Sequence, residues 1–200
     1  WRFIDYVGWN SKNPLFADRE VRQALTMAID RKKIIKDLLT TADGEAYGRE
    51  AVSTNTPALC DLRYDAIEPL PFDPERSKAV LAAKGWKDTD GDGVLDRDGR
   101  PFRFTLLTNA GNARREKASV IVQANLRAVG IDAELARVEG NNFNERMRKK
   151  DFEAAIAGWS ASLFVDPVQL WHSDTAAAKY EFNFTSYANP KADELMDRGM

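Results

Sequence analysis

From Phe102 onward the pattern of hydrophobic and polar positions is regular. Short apolar runs alternate with longer segments whose apolar residues lie on one side. Short apolar runs bounded by polar residues are typical of buried strands, whereas apolar positions three or four residues apart predict helices. The predicted order is strand Phe102–Thr108, helix Ala113–Val129, strand Ile131–Val138, helix Asn142–Lys150 and strand Phe152–Gly158. Strands that alternate with helices form parallel neighbours, so the pattern predicts an α/β fold with a mostly parallel sheet.

The remainder of the chain is less regular and adds further elements around this unit. A strand is predicted over Trp1–Gly8, helices after the capping residues Asp18, Asp30 and Asp73, and a last helix from Asn189-Pro190 onward. We expect the apolar residues Leu195 and Met196 of that last helix to be buried. Thr40–Pro71 has no sustained period and is rich in Gly, Pro, Thr and Asp, which predicts a long surface loop.

The stretch DFEAAIAGWSASLFVDPVQLW contains the strongest candidate for a binding site. Its apolar run predicts a central strand, which leads into Trp159 and then Ser160, Ala161 and Ser162. Asp166-Pro167 follows and combines a capping residue with the proline that begins many helices. Open α/β sheets bind ligands at the carboxyl ends of their strands. The alternative is that Trp159 is a core or rim aromatic and that the serines are ordinary loop residues.

A second polar segment is predicted to face the same cleft. The turn that follows the strand Phe102–Thr108 contains Asn109 and Asn112. Carboxyl ends of parallel strands meet at one edge of the sheet, so this turn and the segment after Trp159 lie at the same edge. Asn109 and Asn112 are therefore candidate ligand contacts, with a purely turn-forming role as the alternative.

The segment DTDGDGVLD resembles a calcium-binding loop. Asp88, Asp90, Asp92 and Asp96 occupy positions 1, 3, 5 and 9 of an EF-hand type of loop, but position 12, which should hold a bidentate acid, is Gly99. The run that follows predicts a strand and not the usual second helix. The segment is therefore either a structural calcium site or an acidic connection that leads into a hairpin.

Composition narrows the classes of function. A net charge of −2 with scattered basic residues argues against nucleic acid as the main partner. No apolar run approaches the roughly 18 residues that a membrane helix needs. Cys60 is the only cysteine, so an intrachain disulfide and a thiolate metal cluster are excluded. His172 is the only histidine, and a packed or surface position is a more economical interpretation than a catalytic triad.

Several stretches together resemble the family 5 extracellular solute-binding proteins, the peptide, nickel and sugar receptors of ABC importers. They are FADREVRQALTMAIDRKKII, PFDPERSKAVLAAKGW, DGDGVLDRDGRPFRFTLLT, NLRAVGIDAEL, FEAAIAGWSASLFVDP and FTSYANPKADELMD, in that order. The resemblance implies a periplasmic-binding-protein-like lobe of type II, similar to cluster C. It further implies that residues 1–200 form the second lobe of a two-lobe receptor, with 1–10 and 184–200 bordering a first lobe and hinge.

The resemblance also implies capture of a small solute without chemistry. The full-length protein would be periplasmic or extracytoplasmic, would deliver its ligand to an ABC permease, and is expected to be a monomer without a cofactor, apart from a structural calcium ion. In peptide-binding members an acidic residue three places after the Trp pairs with the peptide's amino group, and this chain has Ser162 there. Because serine cannot supply that charge-assisted bond, a blocked peptide, a saccharide or another polar metabolite is an equal candidate.

Three other functions remain open on the sequence. An enzyme that uses a carboxylate pair is one, although no acid lies in an obvious acid–base setting. A ligand-sensing domain of a regulator or receptor with the same fold is another. The third is a calcium-stabilised interaction module built on Asp88–Asp96.

Overall fold

A computed structural model describes residues 3–51, 68–160, 167–177 and 182–199. Cys60 and most of the second half of the predicted loop Thr40–Pro71 lie outside these ranges. The strands are β1 (Phe3–Trp9), β2 (Asp96–Arg97), β3 (Arg100–Pro101), β4 (Arg103–Asn109), β5 (Asp132–Val138) and β6 (Ala154–Ser160). The helices are α1 (Arg19–Met27), α2 (Arg31–Leu38), α3 (Pro74–Ala83), α4 (Ala113–Arg127), α5 (Gly140–Lys149), α6 (Val168–Trp171), α7 (Ser173–Ala177) and α8 (Pro190–Gly199).

In the described part of the chain the main sheet has four strands, in the order β1-β6-β4-β5. β4 pairs in parallel with both β5 and β6, which confirms the predicted strand-helix-strand-helix-strand unit. β1 closes the sheet by pairing antiparallel with β6, from Phe3 opposite Ser160 to Trp9 opposite Ala154. The α/β class with a mostly parallel sheet is therefore confirmed, and the predicted central strand is an interior strand of the sheet.

Alternate residues of each strand pack into two separate cores, one on each face of the sheet. On one face Leu106 and Ile156 join residues of α1, α3 and α4. On the other face Leu107 and Ala155 pack against Phe143 and Met147 of α5. A strand that is covered on both faces needs a continuous apolar run, which explains why nearly all residues of β6 are apolar.

An aromatic cluster fills the centre of the larger core. Phe16 is fully buried, and its ring centroid lies 5.0 Å from that of Phe104 and 5.5 Å from that of Trp9. Phe102 extends the cluster to Trp86, with ring centroids 4.4 Å apart. Aromatic side chains bury more apolar area than any others, so this cluster supplies a large share of the hydrophobic stabilisation.

The predicted helix starts are confirmed by their capping bonds. Asp18, Asp30 and Asp73 each accept a hydrogen bond from a backbone N–H in the first turn of α1, α2 and α3. These bonds satisfy donors that have no partner within the helix. The capping residues therefore fix where three of the helices begin.

The expected burial of Leu195 and Met196 is wrong. Leu195 is 58% exposed and Met196 is half-buried in α8. α8 packs mainly against α6, which has only four residues. A helix of one turn covers too little of the apolar side of α8 to bury both residues.

Candidate functional site

The predicted ligand-binding edge is the carboxyl end of β4 and β6. The register pairs Thr108 of β4 with Ile156 of β6, and both strands run in the same direction. β4 ends at Asn109, whereas β6 continues to Ser160. The segments that follow the two strands therefore begin at one edge of the sheet, as the sequence predicted.

Trp159 lies at this edge and is half-buried. It stands opposite Ile4 of β1, and its ring packs edge to face against Phe182 with a centroid distance of 5.3 Å. Ser160 follows it and is exposed. Trp159 is thus neither sealed in the core nor free on the surface. A tryptophan held on one side and open on the other can offer an apolar face to a ligand.

Two of the predicted contact residues cannot be placed. Ala161 and Ser162 lie outside the described residues, as does Asp166, the predicted cap of the helix after the site. The helix itself is present as α6, and Pro167 stands immediately before it. The ligand-contact role of Ala161 and Ser162 therefore stays a prediction.

The two candidate asparagines both make structural bonds. Asn112 caps α4, and its side-chain oxygen accepts a hydrogen bond from the Arg115 backbone N–H at 3.1 Å. The side-chain oxygen of Asn109 accepts a hydrogen bond from Arg115 Nη1 at 2.9 Å. The turn-forming alternative thus describes Asn112 well. Asn109 remains half-exposed at the edge of the sheet, and its role toward a ligand stays a prediction.

A cluster of charged residues that the sequence analysis missed connects the elements of this edge. Asp5 of β1 accepts a hydrogen bond from Arg115 Nε at 3.0 Å and another from Arg114 Nε at 2.6 Å. The arginines belong to the first turn of α4, where the helix dipole favours acidic residues. Two consecutive arginines at such a position are a signal that an acidic partner lies nearby, and the sequence pattern could have been interpreted in that way.

Tyr6 lies beside this cluster, next to Asp5 in β1. Its ring packs against the smaller core, on the face of the sheet that carries Ala155 and Ala157. Burial raises the pKa of Tyr6 to about 12, and the nearby Arg115 opposes part of that rise. The phenol is therefore neutral at physiological pH and adds no charge to the edge.

The acidic loop uses its carboxylates to bind its own backbone. Asp88 accepts hydrogen bonds from the N–H groups of Gly91 and Gly93, and Asp92 accepts one from Val94. Gly91 and Gly93 adopt φ values of 81° and 80°, and β2 and β3 then form a two-stranded hairpin. The hairpin alternative is therefore confirmed as a description of the local structure.

The same loop also brings three carboxylates together, and the calcium prediction can be tested there. Single oxygens of Asp88, Asp90 and Asp96 lie within 4.8 Å of one another. A calcium ion that bound only the folded protein would raise the free energy of unfolding by about 2.7 kcal/mol at a hundred times the Kd. The melting temperature would therefore be higher in millimolar calcium than in chelator. Differential scanning fluorimetry measures that shift, with Asp90→Asn as the control that should abolish it. An unchanged melting temperature would exclude the calcium site.

A pocket at the opposite edge of the sheet, where the strands begin, is a weaker candidate for a ligand site. It encloses about 330 Å³ and is lined in part by Asn10, Lys12, Arg146 and Glu153. The Glu153 carboxylate accepts hydrogen bonds from Asn13 Nδ2 and from the Thr105 N–H. Glu153 thus joins the amino ends of the strands to the loop that follows β1. The carboxyl edge, where open α/β sheets bind ligands, stays the predicted ligand site.

His172 has a structural environment. Its Nδ1 accepts a hydrogen bond from the Asp174 N–H at 3.2 Å, and its Nε2 lies 3.5 Å from a carboxylate oxygen of Asp197 in α8. The imidazole therefore joins α7 and α8.

No helix in the described part of the chain has both the length and the hydrophobicity that a membrane span requires.

Comparison with known proteins agrees with the predicted family and fold. Residues 3–181 match the sequence profile described as bacterial extracellular solute-binding proteins, family 5 middle. The chain is 43% identical over 195 residues to the oligopeptide-binding protein AppA of Bacillus subtilis, covering 96% of this chain and 34% of that protein.

Solved structures show the same likeness. The B. subtilis AppA structure in complex with a nonapeptide superposes with a TM-score of 0.90 at 40% identity, over 98% of this chain and 38% of that one. A periplasmic oligopeptide-binding protein of an ABC transporter from Thermotoga maritima, bound to mannohexaose, has a TM-score of 0.78 at 21% identity, over 98% and 38% of the two chains. The second likeness shows the fold alone. The chain spans about a third of the length of the curated relatives it matches.

Proposed function

Because this chain belongs to the bacterial extracellular solute-binding proteins of family 5, we propose that it forms one lobe of the substrate-binding component of an ABC-type importer. The observation that carries the proposal is the position of Trp159. It lies half-exposed at the carboxyl edge of an interior strand, in a chain that matches this family over most of its length. In this proposal the carboxyl edge of the sheet forms one wall of a cleft, and a second lobe of the full-length protein forms the other.

The proposed mechanism is capture without a chemical step. A solute enters between the lobes, a hinge closes, and the closed form docks on a membrane permease. Affinity comes from groups that are already in place when the cleft loses its water. In this lobe they are the aromatic face of Trp159 and the exposed hydroxyl of Ser160, and we extend the set to Ala161 and Ser162. The protein would have no enzymatic activity and would act outside the cytoplasm as a monomer.

We propose a peptide-like solute as the first choice. Support comes from the relative that is 43% identical to this chain and is named an oligopeptide-binding protein. Ser162 carries no charge, so the site would hold a peptide through its backbone and side chains more than through its free amino group. An oligosaccharide is the runner-up, because aromatic faces and hydroxyl groups also suit sugars.

Titration calorimetry of the full-length protein beside residues 1–200 tests this proposal. A pool of nonapeptides and, separately, mannohexaose serve as the probes. We expect the full-length protein to bind the peptides and the single lobe to bind them at least about 100-fold more weakly, because half of the contacts and the closure are lost. Equal affinity of the two proteins would refute the two-lobe mechanism. Binding of mannohexaose alone would replace the peptide by a saccharide.

A further inference from the structure

We propose that Arg115 is a positioning residue for Trp159 and that Gly158 is glycine because the Arg115 guanidinium occupies the space of its side chain. This inference rests on the proposed function, since it concerns the residue assigned to the ligand. The arrangement joins three strands and one helix at the carboxyl edge of the sheet. Asp5 belongs to β1, Asn109 to β4, Gly158 to β6 and Arg115 to α4.

Among the residues that the structure describes, the end of β6 has a strand partner on only one side. β4 pairs with β6 from Leu106 to Thr108, which face Ala154 to Ile156. β1 pairs with β6 as far as Ser160. Beyond Ile156, β1 is therefore the only strand in the described ranges that pairs with β6. A single antiparallel neighbour leaves such a strand end freer to shift than one held from both sides.

The Arg115 side chain lies across this end of β6. Its Nε donates to Asp5 Oδ1 at 3.0 Å, and its Nη1 donates to Asn109 Oδ1 at 2.9 Å. Only 18% of the Arg115 side chain is exposed, against 42% for that of Arg114. A guanidinium held through two of its nitrogens in a partly buried site has a fixed orientation, because its donors form a rigid planar fork. Arg115 thus connects β1 to β4 across the end of β6.

Gly158 is the residue over which the guanidinium passes. A Cβ placed on Gly158 would collide with Arg115 Nη2 and would lie 2.9 Å from Arg115 Cζ and 2.8 Å from Asp5 Oδ1. Asp5 also stands directly opposite Gly158 in the antiparallel register, so the two lie on the same face of the sheet. Any side chain at position 158 would push the guanidinium away from Asp5 and Asn109. A side chain at position 158 would therefore act through this close approach to the guanidinium, and not through an unusual backbone angle.

Trp159 is the next residue along β6, and its side chain points to the opposite face of the sheet. Its ring packs there against Phe182. The guanidinium on one face and the Phe182 ring on the other therefore hold the same short segment of backbone. A shift of Gly158 moves Trp159 with it, and a binding group displaced by a fraction of an ångström loses much of its affinity.

Four variants of the full-length protein test this inference. They are Arg115→Ala, Gly158→Ala, the double variant, and Arg114→Ala as the matched control. Arg114 is the neighbouring arginine on the same helix and binds the same carboxylate, but the atoms nearest to a Cβ at Gly158 belong to Arg115 and Asp5. Each protein carries 5-fluorotryptophan, and the resonance of Trp159 is assigned from its absence in Trp159→Phe. Affinity for the nonapeptide pool is measured on the same samples.

We expect Arg115→Ala and Gly158→Ala each to shift the Trp159 fluorine resonance while the core residues Trp9 and Trp86 keep theirs. Peptide affinity should fall by about 10-fold in both, and by less than about 3-fold in Arg114→Ala. Gly158→Ala should cost less once Arg115 is alanine, because the collision with the guanidinium is gone and only the approach to Asp5 Oδ1 at 2.8 Å remains, so the two effects are not additive.

An unmoved Trp159 resonance in both single variants would overturn the inference, as would an equal shift in Arg114→Ala. Fully additive effects in the double variant would also overturn it. The fluorine comparison needs no ligand. Failure of the wild-type protein to bind any nonapeptide would therefore count against the proposed function, while the resonance of Trp159 still decides the role of Arg115.

Discussion

Replacing Trp159 with alanine is expected to weaken binding of the nonapeptide pool to the full-length protein by about 100-fold, which corresponds to about 2.7 kcal/mol. The side chain is half-buried against Phe182 and presents the rest of its surface at the sheet edge. Aromatic residues that are fixed on one side and covered by ligand on the other carry a large share of binding energy. The fold should survive, because Trp159 belongs to neither of the two cores. Titration calorimetry measures the loss.

Trp159→Phe is the matched control for that experiment. Phenylalanine keeps an aromatic face in the same place but offers less area, so its loss of affinity should be intermediate. A graded series, with alanine worse than phenylalanine and both worse than tryptophan, supports a direct contact. Wild-type affinity in Trp159→Ala would remove this residue from the binding site.

Replacing Phe16 with alanine is expected to destabilise the fold by about 3–5 kcal/mol. Phe16 has no exposed surface, and its ring lies within contact of Trp9 and Phe104. Removal of the ring leaves a cavity that the surrounding aromatic residues cannot fill without leaving their own positions. For a domain of this size the loss corresponds to a fall in melting temperature of about 6–20 °C. Thermal unfolding followed by circular dichroism measures it.

Phe3→Ala provides the control for the core substitution. Phe3 is 75% exposed, so the same chemical change there should alter stability by less than about 0.5 kcal/mol. Comparable losses at both positions would show that the aromatic cluster is not the centre of the core.

The parallel unit of the fold could be predicted because its signals are local. β4, α4, β5, α5 and β6 each bury a run or a stripe of apolar residues, and the change from one period to the other marks where each begins. The same argument placed the ends of β4 and β6 at one edge of the sheet. Boundaries were less certain, as shown by α5, which begins at Gly140 and not at Asn142.

The antiparallel pairing of β1 with β6 could not be predicted in the same way. Phe3 and Ser160 face each other although most of the chain lies between them in sequence, and the pattern of one strand does not indicate which strand it pairs with. The exposure of Leu195 in α8 has a similar cause. An amphipathic pattern shows which side of a helix is apolar, but the neighbour that covers that side depends on the tertiary structure.

The sequence predicted where Trp159 lies in the fold but not the contacts around it, and the ligand role of Trp159 stays a prediction. Trp159 was found from the sequence because the end of a buried strand is a recognisable place. Arg115 was not, because its partners Asp5 and Asn109 lie on two other strands. The side-chain bond of Asn112 to the start of α4 follows a local rule and could have been predicted from its place before a helix.

Native mass spectrometry of the full-length protein as purified tests most directly whether Trp159 forms the ligand-binding edge. We predict that the wild-type protein carries a bound species with the mass of a small peptide or another polar solute. The Trp159→Ala variant, purified in parallel, should be largely empty because the bound species dissociates during preparation. Equal occupancy in the two proteins, or no bound species in the wild type, would contradict the account.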